Sequence, residues 1–533
     1  MVQQFESDIL VVGAGPAGAC VTWSLAKAGL NVTCIEQGEW VDSNQLPSTR
    51  STWELDRLGR FNPNPNVRAG KPFGVIDDRN SPISIANFNA VGGSSILFSG
   101  HFPRFHPSDF CSKSLDDVGD DWPISYQDLE PYFIANDKMM GVAGLEGDPA
   151  YPKIEGLLPP IPLGRMGEVL AQGFNSLGWH WWPSYSAIST IQRSHQNRCI
   201  NLGPCNTGCS QGAKSSVDLT YWPEAIRSGA KLITSTKALK IQTDVTGKVA
   251  TSVVARGQNG DLICFRAKQI VLACNGVGTP TLMLASVSKS HPKGVGNSSG
   301  LVGKNLMLHP TGYVEGIFDE DLNSSIGPQG CCIYSHEFYE NDDGRGFKKG
   351  ITLQALRGPG PIESAVSGVA MGLIATGKEH TKSFLRRYQH TAHLAVIVED
   401  FADQNNSVKL EKSKLDANGD PIPIIEYRLS GNSKAALAFG IDRGKEVMRA
   451  AGAKLVSGLG PIRNTGWHLM GTARMGDDPK SSVVDRFGKC HDVANLYVAD
   501  SSVFVTSGAV NPTSTLQAVA LWVADNMVRN RYF

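Results

Sequence analysis

A short glycine-rich turn near the start constrains this chain more than any other feature. Residues 8–12 form an unbroken apolar run after Asp8 and read as a buried parallel strand. Gly13-Ala14-Gly15-Pro16-Ala17-Gly18 follows, then a helical pattern over 16–28, a stop at Gly29 and a second strand over 31–36. The three glycines have different tasks. Gly13 permits the tight turn, Gly15 lets backbone approach a pyrophosphate, and Gly18 lets the helix pack on the strand. The helix start offers unpaired N–H groups and partial positive charge to phosphate. Glu36 ends the second strand, where a carboxylate accepts hydrogen bonds from ribose hydroxyls. The pattern predicts a bound dinucleotide and does not separate FAD from NAD. An acid at that strand end argues against NADP, whose 2′-phosphate would meet like charge.

The rest of the chain limits what the dinucleotide serves. At 533 residues it has material for several domains or one elaborated domain. Hydrophobic residues make up 41% and charged residues 19%, as in a globular protein. The 50 basic and 50 acidic residues cancel. No basic cluster stands out, so nucleic acid is not expected as a partner. No stretch reaches the roughly 20 apolar residues of a membrane span. The first residues lack a signal-peptide pattern, and a cytoplasmic location is expected. Of 11 cysteines, Cys20, Cys34, Cys264 and Cys274 sit in apolar segments, which is free-thiol usage. Cys199, Cys205 and Cys209 lack paired C-x-x-C spacing, so a turn-rich packed loop is expected there and no metal.

A second glycine-rich loop spans residues 90–95. Backbone N–H groups at Gly92 and Gly93, with the hydroxyls of Ser94 and Ser95, suit phosphate or ribityl oxygens; a plain turn is the alternative. Strands are expected at 231–235 and 269–274, so the nucleotide domain is expected to be discontinuous. Between about 311 and 460 the pattern changes to short alternating segments, including 391–399 and 407–410, which predicts an antiparallel sheet. Near the C-terminus, His468 precedes a glycine-rich stretch, 495–500 reads as a strand ending on Asp500, and a polar loop with Asn511 opens a helix over 516–527.

Taken in order, residues 13–18, 91–95, 270–286, 303–310, 468–476 and 495–512 resemble the glucose–methanol–choline (GMC) oxidoreductase family over essentially the whole chain. The resemblance implies an α/β FAD-binding domain of Rossmann type, assembled from residues 1–105, 200–310 and 461–533. It implies an α+β substrate-binding domain and cap, with an antiparallel sheet, from 106–199 and 311–460. His468 matches the family's active-site histidine and Asn511 its second active-site position. Gly13, Gly15, Gly18 and Glu36 match the adenosine-diphosphate site, and Ala238 a backbone contact to adenine. Gly93, Ser94, Asp500, Pro512 and Thr513 match the flavin side. His309 matches a family motif and is expected to be structural. Many members carry Asn, and some a flavin-bonding His, after the Gly-Gly-Ser-Ser loop. This chain has Ile96-Leu97-Phe98, so non-covalent FAD is expected. Residues 91–110 and 120–123 are more similar to bacterial sugar- and aminoglycoside-oxidising members.

The implied reaction is oxidation of an alcohol, such as a sugar, amino sugar or polyol, with oxygen or another acceptor taking the electrons. His468 would take the hydroxyl proton, and the Asn511 amide would donate to the developing alkoxide. A nicotinamide-dependent dehydrogenase would use the same N-terminal turn. A flavin monooxygenase would need a second nucleotide fingerprint, which is not evident.

Overall fold

In the computed structural model, residues 3–69, 74–327, 332–370, 372 and 374–530 are described. Among them the strands form sheets of seven, six and three. The first sheet is built on strand Gln3–Val12, which pairs in parallel with Val32–Ile35 on one side and Leu262–Leu272 on the other. Lys231–Ile233 and Leu496–Val498 add further parallel partners. Ile9, Leu10 and Val11 are fully buried, as a strand covered on both faces must be. Helix Pro16–Lys27 packs against the last helix, Thr513–Arg529, so the two ends of the chain share one core. Two strands that the sequence did not suggest, Lys237–Thr243 and Ala250–Arg256, extend this sheet as an antiparallel meander.

The second sheet is antiparallel, with strands Leu455–Leu459, Thr311–Ile317, Thr391–Val398, Ile351–Leu356, Ile333–Ser335 and Trp182–Pro183 in that order. Side chains alternate between its two faces. Ile351, Leu353 and Ala355, with Leu394, Val396 and Val398, pack under helices Gly164–Leu177 and Gly431–Ala450. The opposite set, including Gln354, Leu356, Ala395 and Ile397, faces a cavity. This alternation builds the site: one face of the sheet is core and the other is chamber wall.

Residues 407–410 do not join that sheet. Ser407–Lys409 pairs with Ile424–Glu426, which pairs in parallel with Asp77–Asn80. Val408 and Ile425 bury against Ile76, Ile83 and Ile85 in a separate apolar cluster, and that burial sets the pairing. Among the described residues no helix is long and apolar enough to cross a membrane.

Candidate active site

One cavity of about 590 Å³ runs from the glycine turn to the antiparallel sheet. At the turn, Gly13 has φ +102°, and a Cβ there would lie 2.5 Å from the Ala273 carbonyl oxygen. A Cβ on Gly18 would lie 1.8 Å from the Gly13 oxygen. Gly15 differs: the nearest atom to its added Cβ is Gly93 Cα at 4.0 Å, and the space ahead is cavity. Gly93, at φ +55°, stands back to back with Gly15, its own added Cβ 2.9 Å from Gly15 Cα. The two glycine loops therefore form one wall. Helix Pro16–Lys27 has no side-chain cap, so its first N–H groups remain for a ligand.

Glu36 accepts from Ala14 N and Gly38 N at 2.8 Å each. Burial pushes its pKa up, and those two N–H groups work against the shift. A carboxylate has about four acceptor positions, so two remain for hydroxyls. Ala238 lies on edge strand Lys237–Thr243 and also lines the cavity. Beside it Lys237 pairs with Asp416 (3.1 Å) and Asp420 (2.8 Å), drawing the loop that carries them over this end. Ser94 lines the cavity and accepts from Phe88 N at 3.1 Å, leaving its O–H to donate. Ser95 does not take the expected part. Its hydroxyl donates to Gly92 O (2.6 Å) and accepts from Val217 N (3.1 Å), so it holds the loop's shape.

Asp500 is likewise committed to the protein. One oxygen accepts from Asn275 N and the Thr279 hydroxyl, the other from the backbone and hydroxyl of Ser502. Its side chain organises the floor; only its backbone and position are left for a ligand. Asn511, Pro512 and Thr513 reach the cavity at the start of the last helix, which also lacks a side-chain cap. The Asn511 amide makes no hydrogen bond to a described residue, and its Oδ1 is buried without a partner. The loop before it is tied down: Ala509 N donates to the Tyr339 hydroxyl (3.2 Å), which donates to Asp109 (2.7 Å).

His468 arrives from a different direction. Met307 and Met470 exchange backbone hydrogen bonds as an isolated antiparallel bridge. Two residues outward on both sides, the same register sets His309 opposite His468. Their Nδ1 atoms are 2.7 Å apart. His309 Nε2 lies against two carbonyls, Ser507 O at 3.0 Å and Gly508 O at 2.7 Å, and must carry the proton. Burial lowers the His309 pKa to about 4, so the ring is neutral at pH 7 and its Nδ1 is an acceptor. His468 Nδ1–H then donates to it, and the His468 proton is fixed on that nitrogen. His468 Nε2 keeps a lone pair, has no partner among the described residues, and belongs to the cavity wall. Burial, and then His309, push the His468 pKa well below 6.5. His309 was expected to be structural; its Nδ1 also fixes the tautomer of His468.

Two uncapped helix starts, a half-free carboxylate, an unpartnered amide and an oriented imidazole thus share one chamber. The N-terminal region of the GMC oxidoreductase family matches residues 7–311, and its C-terminal region matches 402–520. The chain belongs to the GMC oxidoreductase family. It is an enzyme of that oxidoreductase type. It is 38% identical to 2-methyl-1,2-propanediol dehydrogenase of Mycolicibacterium austroafricanum, over 98% of this chain and 95% of the relative. It is 29% identical to paromamine 6'-oxidase of Streptomyces fradiae (96% and 90%) and 26% identical to the fructose dehydrogenase large subunit of Gluconobacter japonicus (99% and 99%). Pyridoxine 4-oxidase from Mesorbium loti shares the fold, with a TM-score of 0.64 at 18% identity over 98% of this chain and 99% of that one. So does formate oxidase, at 0.64 and 17% over 100% and 99%. The members of this family bind FAD.

Of the site residues expected from the sequence, Gly18 and Gly92 do not line this cavity: Gly18 packs directly beneath the turn, and the N–H groups expected of Gly92 and Gly93 donate instead to Ala14 O (3.0 Å) and Ala90 O (2.8 Å), holding the loop. Sequence reasoning missed Asn87 and Asn206, whose buried Oδ1 atoms also lack partners and whose residues line the same chamber. The described cysteines, Cys199, Cys205 and Cys209 among them, are free, and among the described residues no group of metal-ligating side chains comes together.

Proposed function

We propose that this enzyme holds FAD non-covalently on a Rossmann-type fold and oxidises the CH–OH group of a small alcohol to an aldehyde or ketone. The reading rests on the His468 Nε2 lone pair, oriented by His309 and set in the same cavity wall as the unpartnered Asn511 amide. The glycine turn and the first helix would take the pyrophosphate, Glu36 a ribose, and the Ala238 backbone the adenine. Gly93, Ser94, Asp500, Pro512 and Thr513 would flank the flavin, with the uncapped last helix offering N–H groups to its electron-rich edge. Ile96, Leu97 and Phe98 offer no side chain able to bond covalently to it. The same reading divides the chain into an FAD domain (1–105, 200–310, 461–533) and a substrate domain with cap (106–199, 311–460).

When bound, FAD supplies the two-electron acceptor that takes a hydride from the carbinol carbon. The protein's part is to make the alcohol a better donor. His468 Nε2 accepts the hydroxyl proton. The positive charge that results is stabilised by the Nδ1–H bond to His309, which becomes charge-assisted. Asn511 donates its amide N–H to the oxygen as negative charge gathers there. The names of the relatives cover a diol, paromamine and fructose, and we infer a sugar, amino sugar, polyol or simple diol as substrate.

Anaerobic bleaching of the bound flavin by a panel of alcohols, followed by admission of air, reports substrate and acceptor together. His468→Ala should stay folded and yellow and lose roughly 10²–10⁴ of kcat. Near-normal turnover by that variant sinks the assignment.

A further inference from the structure

The cysteine-rich loop has no metal and no disulfide among its described residues, yet it is built into the chamber. Lys214, buried, donates from one Nζ to Ile96 O (2.7 Å), Phe98 O (2.6 Å) and Cys205 O (2.6 Å). That ammonium staples the turn Cys205–Thr207 onto the segment after the glycine loop. Asn206, between the stapled residues, presents a buried Oδ1 with no partner to the cavity. The same loop meets the substrate sheet: a Cβ on Gly203 would lie 2.9 Å from Ser325 O, to which Arg357, just past strand Ile351–Leu356, also donates. On that strand Gln354, 6% exposed, lines the chamber, and its side-chain amide makes no hydrogen bond to a described residue. The stapled loop and the antiparallel sheet therefore each bring a side-chain amide to the one cavity, Asn206 with its Oδ1 buried and unpartnered, and Gln354 with no hydrogen bond to a described residue.

An orphaned acceptor oxygen in a buried site demands a donor from the ligand. A hydroxyl supplies a donor and an acceptor together and suits an amide pair. An ammonium does not suit this pair. The carboxylates among the described lining residues are Glu36, Asp416, Asp420 and Asp500, all placed above at the nucleotide side or committed to the protein. Arg57, a cation, lines the wall near Arg357, whose pKa is lowered first by burial and then by Arg57.

We propose that Asn206, with Gln354, recognises a second hydroxyl of a small neutral diol or polyol, and that this pair sets the substrate class. The inference rests on the alcohol-oxidation reading and narrows it by setting amino sugars aside. It also gives the cysteine-rich loop a use: the asparagine works and the cysteines pack.

The test is the anaerobic rate of flavin bleaching in the FAD-loaded enzyme by 1,2-propanediol, 1-propanol and 1-amino-2-propanol. The wild type should prefer the diol. Asn206→Ala should lower kcat/KM for the diol roughly 10–100-fold, leave 1-propanol unchanged and keep the FAD content. Gln354→Ala should act in the same direction, which guards against misfolding of either variant alone. Equal loss on both alcohols, or loss of FAD, overturns the assignment, as does a wild type that prefers the amino alcohol or treats diol and mono-alcohol alike. If no alcohol bleaches the flavin, the alcohol reading falls and takes this inference with it.

Discussion

His309 and His468 face each other through their Nδ1 atoms at 2.7 Å, and the two carbonyls behind His309 decide which ring holds the shared proton. This pair makes the first prediction. Asn Oδ1 occupies nearly the place of His Nδ1, and Asn tolerates the left-handed backbone at position 309, where φ is +49°. His309→Asn should keep an acceptor for His468 Nδ1–H and most of the activity. His309→Leu removes the acceptor and frees the His468 tautomer; kcat should fall by roughly 10²-fold or more while FAD stays bound. Stopped-flow flavin reduction separates the two variants, and equal rates would show that the pair does not set the tautomer.

The pH dependence follows from the same rings. The His468 pKa is pushed well below 6.5 by burial and then by His309. The base is therefore already deprotonated at pH 6.5, and the acid limb of kcat/KM should lie below that value. An inflection at or above pH 6.5 assigned to His468 contradicts the burial argument.

Stability carries a related signature. His309 is fully buried, with a folded pKa of about 4 against 6.5 for an exposed histidine. Its folded pKa is depressed, so the unfolded chain binds the proton first. The stability it holds is present above pH 6.5 and is lost as pH falls from 6.5 through about 4, by about 3 kcal/mol at most. Thermal unfolding of wild type and His309→Asn across that window should converge at low pH, because the variant lacks the group that titrates.

Legibility in the sequence followed the range of the interaction. The turn and helix at residues 13–28 were readable almost to the residue because the glycines meet local steric demands: Gly13 needs a positive φ, and Gly18 has Gly13 O against it; the strand before them starts at Gln3, five residues earlier than expected, because its polar first half pairs with the distant Leu262–Leu272. The strand at 391–399 was readable from apolar content. Its partner strands were not, because pairing depends on residues far along the chain. Ser407–Lys409 looked like another strand of the same sheet, but its apolar face met Ile425 and Ile83 instead. His468 and His309 were each visible in a motif. Their contact was hidden, because it depends on one antiparallel bridge between Met307 and Met470. In the cysteine-rich loop the conspicuous thiols drew the eye, while the amide facing the chamber belongs to Asn206.

Asp500 offers a test of how it serves the site. Its two oxygens receive four donors from Asn275, Thr279 and Ser502. Asp500→Asn replaces one acceptor oxygen by an N–H₂ group and sets it against a backbone N–H that cannot turn away. One or two donors lose their partner in a buried place, which costs about 1–3 kcal/mol each. The variant should show a lowered Tm in both the FAD-free and FAD-loaded protein. A lowered FAD affinity with Tm unchanged in the free protein would mean that the carboxylate acts on the cofactor directly.

The two glycines of the first turn should fail in opposite ways. At Gly18 an added Cβ would lie 1.8 Å from a backbone oxygen, and strand and helix would have to separate. Gly18→Ala should therefore lose folded protein, seen as poor yield and an early thermal transition. At Gly15 the added Cβ has 4.0 Å to the nearest atom and points into open cavity, so nothing in the protein resists it. Gly15→Ala should fold with near wild-type Tm in the FAD-free state and yet bind FAD poorly, because the methyl stands where the pyrophosphate must approach the helix start. FAD content per folded chain, measured beside the melting curve, distinguishes the two outcomes. A Gly15→Ala protein that retains its full complement of FAD would place the phosphates elsewhere in the chamber.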